Sequence, residues 1–401
     1  MQRRDERRWS FTKNHSIDDA RGDQDSTLSD PTCLPKRSAS SKKRFSAVNK
    51  AIKIVGAGLI GTSLGLALAR KGVVASLFDH SKANLSLAIE YGAGVESSVE
   101  PDLVIVCVPP DLTAKVICEQ LASHKNAVVT DVASVKVSIA KEVQLLSGSD
   151  SARYIGSHPM AGRETAGPKG ARADLFFARP WVITPNEASS GTQLELVTEL
   201  ALMLDALPVV MSAQEHDNSV ALVSHLPQLV SSALAARLSN GSNADLNLAG
   251  QGLRDTTRIA ASDPDLWMQI LTQNSASIGP LLLEFSKDIN ALVESFQNSD
   301  ESSSLAVIHS LLAAGNQGVS AIPGKHGGKY LEYKTVTALI DDSPGALAAL
   351  LTFVGEIGVN LEDIKLEHSP GAAIGLVEMQ VLPAIQEKLM AQLVQNGWRL
   401  A

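Results

Sequence analysis

The chain has 401 residues, enough for two or three domains, and its low aromatic content of 4% beside 44% hydrophobic residues predicts aliphatic, alanine-rich cores. Its net charge of −8 argues against a general nucleic-acid-binding protein, and three cysteines without metal-ligand spacing favour a cytosolic protein without disulfides. We find no run approaching the 18 apolar residues typical of a membrane span, and no apolar signal-peptide core in the first fifty residues.

Residues 1–50 form a separate compositional block. They hold 12 Lys+Arg against 7 Asp+Glu, a net charge of +5, whereas the rest of the chain carries −13. Ser, Asp and Arg dominate without apolar periodicity, which predicts a disordered tail. A basic contact arm and an upstream extension from a misassigned start codon remain alternatives.

The clearest motif lies in residues 51–79, which have the pattern of a strand, a glycine-rich turn, a helix, a second strand and an acid. Gly56 permits a tight turn, and Gly58 has no side chain to keep a pyrophosphate from the backbone. Gly61 lets the helix pack closely on the strand. Asp79 follows Gly61 by 18 residues, at the end of the second strand. This arrangement predicts a dinucleotide-binding unit.

The acid at the second strand end favours NAD over NADP. A carboxylate at Asp79 can accept hydrogen bonds from ribose hydroxyls and would repel a 2′-phosphate, while the helix N-terminus offers N–H groups to the phosphates. The cofactor contacts that we predict are Gly56, Gly58, Leu59, Ile60, Gly61, Asp79, Val108 and Pro109.

Strands and helices alternate through residue 211. We predict strands at Leu103–Val108, Ala127–Asp131, Tyr154–Ile155, Trp181–Thr184 and Val209–Met211. This alternation predicts an α/β fold, a mostly parallel, doubly wound sheet of Rossmann type over residues 51–211. Ligands of such sheets lie at the carboxyl ends of strands, where the segments VPP, DVASVK and GSHPMAG fall.

Three further regions complete the predicted organisation. Residues 212–314 have apolar positions at helical spacing, which predicts an all-helical domain that buries its apolar stripe against a second copy in a homodimer. Residues 315–331 are glycine-rich and predict a linker. Residues 332–401 have the pattern of a small α+β unit with the order β-α-β-β-α-β.

Two side chains near the strand ends are candidates for chemistry. His158 is expected in a loop at the end of a strand, where an imidazole can accept a proton from a substrate at neutral pH. A loop histidine packed on a helix is the alternative. Ser134 either hydrogen-bonds a substrate hydroxyl or serves only as a helix N-cap.

Polar residues in the helical region suggest a pocket. His216 and Ser224 are eight residues apart on one predicted helical face, and His225 follows. No carboxylate–histidine cluster of ligand spacing accompanies them, so we expect no metal. Arg258 is either a bidentate clamp for a substrate carboxylate or part of a surface ion pair.

Six segments in this order resemble the prephenate/arogenate dehydrogenases: GAGLIG, CVPP, DVASVK, GSHPMAG, HDNSVALVSHLPQ and GLRDTTRIAASDP. The resemblance covers residues 51–314. It implies a cytoplasmic, NAD-dependent oxidative decarboxylation in tyrosine biosynthesis, of prephenate to 4-hydroxyphenylpyruvate or of arogenate to tyrosine. Residues 333–401 resemble an ACT domain through the DDSPGAL turn and the strand arrangement after it.

The resemblance also implies roles for individual residues. His158 would polarise the ring hydroxyl with help from Ser134, and Arg258 would hold a substrate carboxylate. Ser224 and His225 would line the pocket, and we expect His216 to contact the substrate with them. Gln228 stands where many prephenate-using members carry a second histidine. We expect prephenate as the substrate, but a neutral amide there can accept an ammonium group, which keeps arogenate as the alternative.

ACT domains commonly bind amino acids as effectors at subunit interfaces, so the second resemblance implies regulation. We expect tyrosine to bind at Asp342, Pro344, Gly345, Ala346 and Leu347 and to lower activity. Two other functions stay open. One is a 3-phosphoglycerate-type dehydrogenase, disfavoured by the domain order, and the other is a non-catalytic amino-acid sensor that keeps NAD for structure.

Overall fold

The computed structural model describes residues 50–163, 165–297, 301–323, 333–368 and 374–401. The predicted disordered tail lies outside these residues apart from Lys50. The part of the predicted linker that covers residues 324–331 also lies outside them.

The first region of the chain is built on a seven-stranded sheet with the spatial order β2-β1-β3-β4-β5-β6-β7. Its strands are β1 (Ile52–Val55), β2 (Ser76–Phe78), β3 (Leu103–Val106), β4 (Val128–Asp131), β5 (Tyr154–Pro159), β6 (Pro180–Thr184) and β7 (Leu207–Val210). Five helices lie between them: α1 (Leu59–Arg70), α2 (Lys82–Glu90), α3 (Pro110–Ser123), α4 (Val137–Ser147) and α5 (Gly191–Met203). All neighbouring strands run parallel except β5 and β6, so the predicted mostly parallel Rossmann-type sheet is confirmed.

Apolar side chains cover both faces of this sheet, as expected for parallel strands flanked by helices. On one face Ile54 and Ile105 pack with residues of α1 and α5. On the other face Val104 and Val129 pack with residues of α3 and α4. The carboxyl ends of the central strands are therefore held at fixed positions by two separate cores.

Strand β5 is longer than the sequence suggests. We expected it to end at Ile155 and to place His158 in a loop, but the strand continues through Pro159. Its first residues pair with β4, and residues 156–159 pair with the antiparallel strand β6, with His158 opposite Val182. The expectation was wrong because β6 supplies hydrogen-bond partners beyond the end of β4.

The second region is helical, as predicted. Its elements are α6 (Ala213–Val220), a π-helical turn (Ala221–His225), α7 (Leu226–Leu238), α8 (Asn243–Leu246), α9 (Gln251–Thr257), a 3₁₀ turn (Arg258–Ala260), α10 (Pro264–Gln273), α11 (Ser275–Gln297) and α12 (Glu301–Ala321). Helix α12 packs on α11 and runs through the first part of the predicted linker. Gly315 and Gly318 each cost about 1 kcal/mol relative to alanine in a helix, and the long alanine- and leucine-containing helix tolerates this cost.

One continuous helix, Ala213–Leu238, is long and apolar enough by composition to cross a membrane, which the sequence analysis did not foresee. Core helices of globular domains pass the same test. This helix carries the buried pair His216 and Asp217, and its exposed apolar side chains, such as Leu222 and Val223, suit a protein interface.

The C-terminal region is a separate α+β unit with the spatial strand order β11-β8-β10-β9. Its elements are β8 (Lys334–Asp341), α13 (Ala346–Glu356), β9 (Asp363–His368), β10 (Ile374–Val381), α14 (Pro383–Gln395) and β11 (Arg399–Leu400). All its strand pairs are antiparallel, and one cluster of buried aliphatic residues joins the sheet to both helices. The predicted β-α-β-β-α-β order is confirmed.

Candidate active site

The glycine-rich turn has the geometry that a pyrophosphate requires. Gly56 has φ of +104°, and a Cβ on it would lie 2.3 Å from the carbonyl oxygen of Cys107. A Cβ on Gly61 would lie 1.8 Å from the carbonyl oxygen of Gly56, so only glycine lets α1 pack this closely. By contrast, no atom of the described residues lies within 4 Å of a Cβ built on Gly58. The space beside Gly58, at the uncapped N-terminus of α1, is therefore open to a phosphate group.

Asp79 joins this turn to the end of β2. Its Oδ2 atom accepts a hydrogen bond of 2.6 Å from the backbone N–H of Ala57, and its Oδ1 atom accepts one of 2.6 Å from Ser81. A carboxylate can accept about four hydrogen bonds, so capacity remains for ribose hydroxyls. The open cradle at Gly58 and this fixed acid fit the phosphate and ribose groups of NAD.

The predicted contacts Val108 and Pro109 form the turn between β3 and α3. The Thr113 hydroxyl lies within hydrogen-bond distance of both carbonyl oxygens, at 2.9 Å from Pro109 and 3.3 Å from Val108. The preceding Cys107 sits against the glycine turn, and burial raises the pKa of its thiol. Cys107 is thus a protonated packing residue.

His158 belongs to a hydrogen-bonded chain of three side chains. Its Nδ1 atom lies 2.9 Å from Nε2 of His216, and Nδ1 of His216 lies 2.7 Å from Oδ1 of Asp217. The two imidazoles meet edge to face at 73°. His216 and Asp217 are fully buried, whereas His158 is partly exposed. We predicted that His216 would contact the substrate, but both of its ring nitrogens are already bonded inside the protein.

Asp217 connects the helical region to the sheet. Its carboxylate accepts hydrogen bonds of 2.8 and 2.9 Å from the backbone N–H groups of Lys136 and Val137, at the N-terminus of α4. Asp217 therefore supplies the cap of α4, and Ser134 does not. The Ser134 side chain is half-buried in the β4–α4 turn, and within the described residues its hydroxyl forms no hydrogen bond. That hydroxyl is available to a ligand.

Behind this turn lies a buried ion pair that the sequence analysis missed. The ammonium group of Lys136 contacts the carboxylate of Asp131 and donates a 2.7 Å hydrogen bond to the carbonyl oxygen of Ser157. The Tyr154 hydroxyl donates to the other oxygen of Asp131 at 2.9 Å. Because β4, β5 and the β4–α4 turn all bond to this cluster, it fixes the backbone on which His158 is carried.

The π-helical turn brings His225 into the same network. The side-chain amide of Asn274 donates to the carbonyl oxygen of Asp217 at 2.8 Å and lies 3.1 Å from Nδ1 of His225. The His225 ring also stacks edge to face on Trp267. Single π turns inside helices are frequent at functional sites, because they rotate the side chains that follow. Asn274 therefore links the His225 ring to the backbone of Asp217, the last residue of the hydrogen-bonded series that begins at His158.

Electrostatics keep two of these histidines neutral. Burial holds the pKa of His158 well below its usual range, and unfavourable electrostatic interactions with His216, Lys136 and His225 lower it further. Burial lowers the pKa of His225 to about 4. A neutral His158 can accept a proton, which is the property required of a base.

The other predicted pocket residues lie in the π turn, on α7 and in the 3₁₀ turn packed on α7. Gln228 is buried one turn after His225, and its amide nitrogen donates to the Ser232 hydroxyl at 3.3 Å. Ser224 is half-buried within the π turn. Arg258 begins the 3₁₀ turn packed on α7, and it is exposed. Its role toward a substrate carboxylate stays a prediction.

Comparison with known families divides the chain as the structure does. Residues 64–210 match the family described as "Prephenate dehydrogenase, nucleotide-binding domain", and residues 212–310 match "Prephenate dehydrogenase, dimerization domain". The chain is also 34% identical over 359 residues to a "Probable prephenate dehydrogenase NovF" of Streptomyces niveus, a match that covers 86% of this chain and 98% of that protein.

The chain belongs to the prephenate dehydrogenase family. Members of this family with solved structures show the same architecture. The prephenate dehydrogenase from A. aeolicus, solved with hydroxyphenyl propionate and NAD+, has a TM-score of 0.59 at 26% identity, covering 67% of this chain and 98% of that chain. Synechocystis arogenate dehydrogenase has a TM-score of 0.55 at 27% identity, covering 67% and 99%. The protein is an NAD-dependent oxidoreductase of this family.

Three features of the candidate site were not predicted from the sequence. They are the Asp131–Lys136 ion pair, the cap that Asp217 supplies, and the bridging amide of Asn274. A charged pair inside an otherwise apolar strand–turn segment was a usable signal for the first. The other two depend on contacts across 57 to 81 residues of sequence, for which a single sequence carries no local pattern.

Proposed function

We propose that the protein oxidatively decarboxylates prephenate to 4-hydroxyphenylpyruvate in tyrosine biosynthesis, with NAD+ as the hydride acceptor. The observation that carries the proposal is His158: a neutral imidazole at the carboxyl end of the sheet, backed by a buried histidine and a buried carboxylate. The Ser134 hydroxyl on the neighbouring turn, which bonds to no other described residue, supports it.

His158 and Ser134 both act on the ring hydroxyl of the substrate. His158 takes the proton of the ring hydroxyl as the carbon that bears it is oxidised. The ring carboxylate then leaves as CO₂, the electrons of the broken bond make the ring aromatic, and His158 returns its proton to the phenol oxygen. Ser134 hydrogen-bonds the same oxygen and fixes its position. Because aromatisation drives the reaction, the protein mainly positions its reactants.

The substrate carboxylate and side chain are assigned to the helical region. Arg258 is the proposed carboxylate ligand, since a guanidinium binds carboxylates in a bidentate manner. Ser224 and His225 line the pocket beside it. In this arrangement the acid group and the ring hydroxyl of the substrate are gripped by different regions of the chain.

Gln228 favours arogenate as the second candidate substrate. Its amide nitrogen is engaged by Ser232, and within the described residues its Oε1 atom accepts no hydrogen bond. A carbonyl oxygen in that position can accept from the ammonium group by which arogenate differs from prephenate. Comparing kcat/KM for the two substrates tests this, and a preference for arogenate of 100-fold or more would overturn prephenate as the substrate.

A homodimer and a cytoplasmic location are parts of the same proposal. Helices of the matched dimerization domain expose large apolar side chains, among them Met268, Phe296 and Leu305, which a second copy would cover. Cys107 and Cys118 are free thiols, as in reducing compartments. Light scattering after size-exclusion chromatography should give twice the chain mass, and a monomer alone would refute the dimer.

The C-terminal unit is proposed to be an ACT-type regulatory domain that binds tyrosine. Residues 1–310 are less than four fifths of the chain, so the 86% match to the Streptomyces niveus protein includes residues beyond 310. The proposed effector site is the exposed turn before α13, where Gly345 has φ of +91°. It comprises Asp342, Pro344, Gly345, Ala346 and Leu347.

Tyrosine inhibition measured on the full chain tests the regulatory site. Tyrosine should lower the rate of the wild-type protein, and Asp342→Ala should remove that inhibition without changing the rate in its absence. Glu387→Ala, an exposed acid on α14, is the matched control and should keep the inhibition. Equal inhibition in both variants would place the effector elsewhere.

A further inference from the structure

The direction of each hydrogen bond in the series His158–His216–Asp217 follows from its Asp217 end. The Asp217 carboxylate only accepts hydrogen bonds, and two backbone N–H groups of the α4 N-terminus stabilise its negative charge. His216 Nδ1 therefore donates to Asp217. In a neutral His216 ring this leaves Nε2 as an acceptor, so Nδ1 of His158 donates to it.

We propose that His216 and Asp217 are positioning residues that hold His158 in its Nδ1–H tautomer, with the Nε2 lone pair directed to the substrate hydroxyl. Neither residue can contact the substrate, since His216 is 0% and Asp217 1% exposed. The proposal rests on the proposed function only for the identity of that hydroxyl. The tautomer itself is a property of the free enzyme.

The hydrogen bond to His216 can persist after His158 has taken a proton. The imidazolium still donates through Nδ1 to His216, whose own Nδ1–H points to the carboxylate of Asp217. The alternative orientation, with a doubly protonated His216 donating to His158, would leave a proton on Nε2 and block the base.

The hydrogen bonds through His216 and Asp217 also make the orientation of His158 depend on the contact between the sheet region and the helical region. His158 lies on β5, His216 and Asp217 lie on α6, and the carboxylate is fixed by the first N–H groups of α4. The acceptor at His158 is therefore correctly oriented only when α6 is seated on the end of α4.

Nitrogen-15 NMR of the histidine-labelled full chain at pH 7.5 tests the tautomer directly. The His158 signals are assigned by their loss in His158→Asn. The wild-type protein should show a proton on Nδ1 of His158 and none on Nε2. A wild-type His158 that carries its proton on Nε2 would overturn the proposal, whatever the activity of any variant.

Two substitutions at His216 separate positioning from packing. His216→Gln keeps an oxygen that can accept from His158, whereas His216→Leu removes the acceptor and leaves an apolar side chain. We expect kcat with prephenate to fall at least 100-fold in His216→Leu and to be at least tenfold higher in His216→Gln, with NAD affinity unchanged in both. Equal kcat in the two variants, with wild-type unfolding temperatures, would contradict positioning.

His124→Gln is the matched control. His124 also lies between a cation and a carboxylate, bonded to Lys53 and Glu100, but outside the site. It should leave the His158 tautomer and kcat unchanged. If His216→Leu does not fold, the wild-type tautomer alone decides. If wild-type protein has the Nδ1–H tautomer but turns over neither prephenate nor arogenate, the proposed function fails and the positioning role stands.

Discussion

His158 is the residue whose environment most directly determines the chemistry. Burial and the neighbouring His216, Lys136 and His225 hold its pKa well below the ordinary value for histidine. The neutral ring is the active form of a base. A lowered pKa therefore keeps the base active at a pH where an ordinary histidine is already protonated.

The lowered pKa of His158 determines the expected pH profile of kcat/KM. Activity should be lost only as pH falls through the depressed pKa of His158, so the acid limb should lie below pH 6.5. Initial rates between pH 5 and 9, with enzyme stability checked at each pH, measure it. An acid limb at or above pH 6.5 would show that the imidazole is not held neutral by its surroundings.

Substitution of the base itself gives a second prediction at this scale. His158→Asn removes the proton acceptor and should lower kcat by about 10²–10⁴, the range usual for a general base. Ser134→Ala loses one hydrogen bond, about 1 kcal/mol, and should lower kcat/KM by about fivefold. NAD binding, followed by protein fluorescence, should be unchanged in both. Wild-type turnover in His158→Asn would contradict the assignment.

Buried His225 should make stability depend on pH. Its folded pKa of about 4 lies below the ordinary 6.5, so the unfolded chain binds a proton first as pH falls. The stabilisation is complete above about pH 6.5 and is lost as pH falls towards 4, by about 1–2 kcal/mol at pH 5. Urea unfolding at pH 7.5 and 5.0 should show a smaller loss for His225→Gln, and an equal loss would count against this origin.

At the scale of elements, a substitution in the glycine-rich turn can weaken NAD binding without lowering the stability of the fold. Gly58→Ala adds a methyl group to open space, at φ of −78°, so stability should be kept while the pyrophosphate site is obstructed. We expect NAD to bind at least tenfold more weakly, about 1.4 kcal/mol or more. Gly191→Ala, also in open space at the start of α5, is the control and should bind NAD normally. Equal affinities would move the pyrophosphate away from Gly58.

Local patterns predicted most of these elements, and non-local pairing explains the exceptions. The glycine spacing, the apolar strands and the β-α-β-β-α-β order all depend on neighbours in sequence, and each was found. The extension of β5 to Pro159 depends on β6, and the cap of α4 depends on Asp217, about eighty residues away. The glycine-rich composition around Gly315 and Gly318 suggested a linker. Each glycine costs only about 1 kcal/mol in a helix, so the long helix continues through both.

At the scale of the whole molecule, the site is made by two regions that the sequence could only place side by side. The sheet supplies the cofactor cradle and His158, and the helical region supplies His216 and Asp217. Sequence motifs identified His158 and the glycines, but no motif shows that a helical-region acid caps α4. The fold class was predictable, whereas the hydrogen-bonded chain behind the base required the structure.

The central claim is that this assembly oxidises a cyclohexadienol with NAD+. The most direct measurement is the initial rate of NADH formation, followed by absorbance, with prephenate and with arogenate in separate reactions of the full-length protein. We predict NADH formation with prephenate, accompanied by 4-hydroxyphenylpyruvate, and its loss in His158→Asn. No NADH with either substrate, from folded protein that binds NAD, would contradict the account.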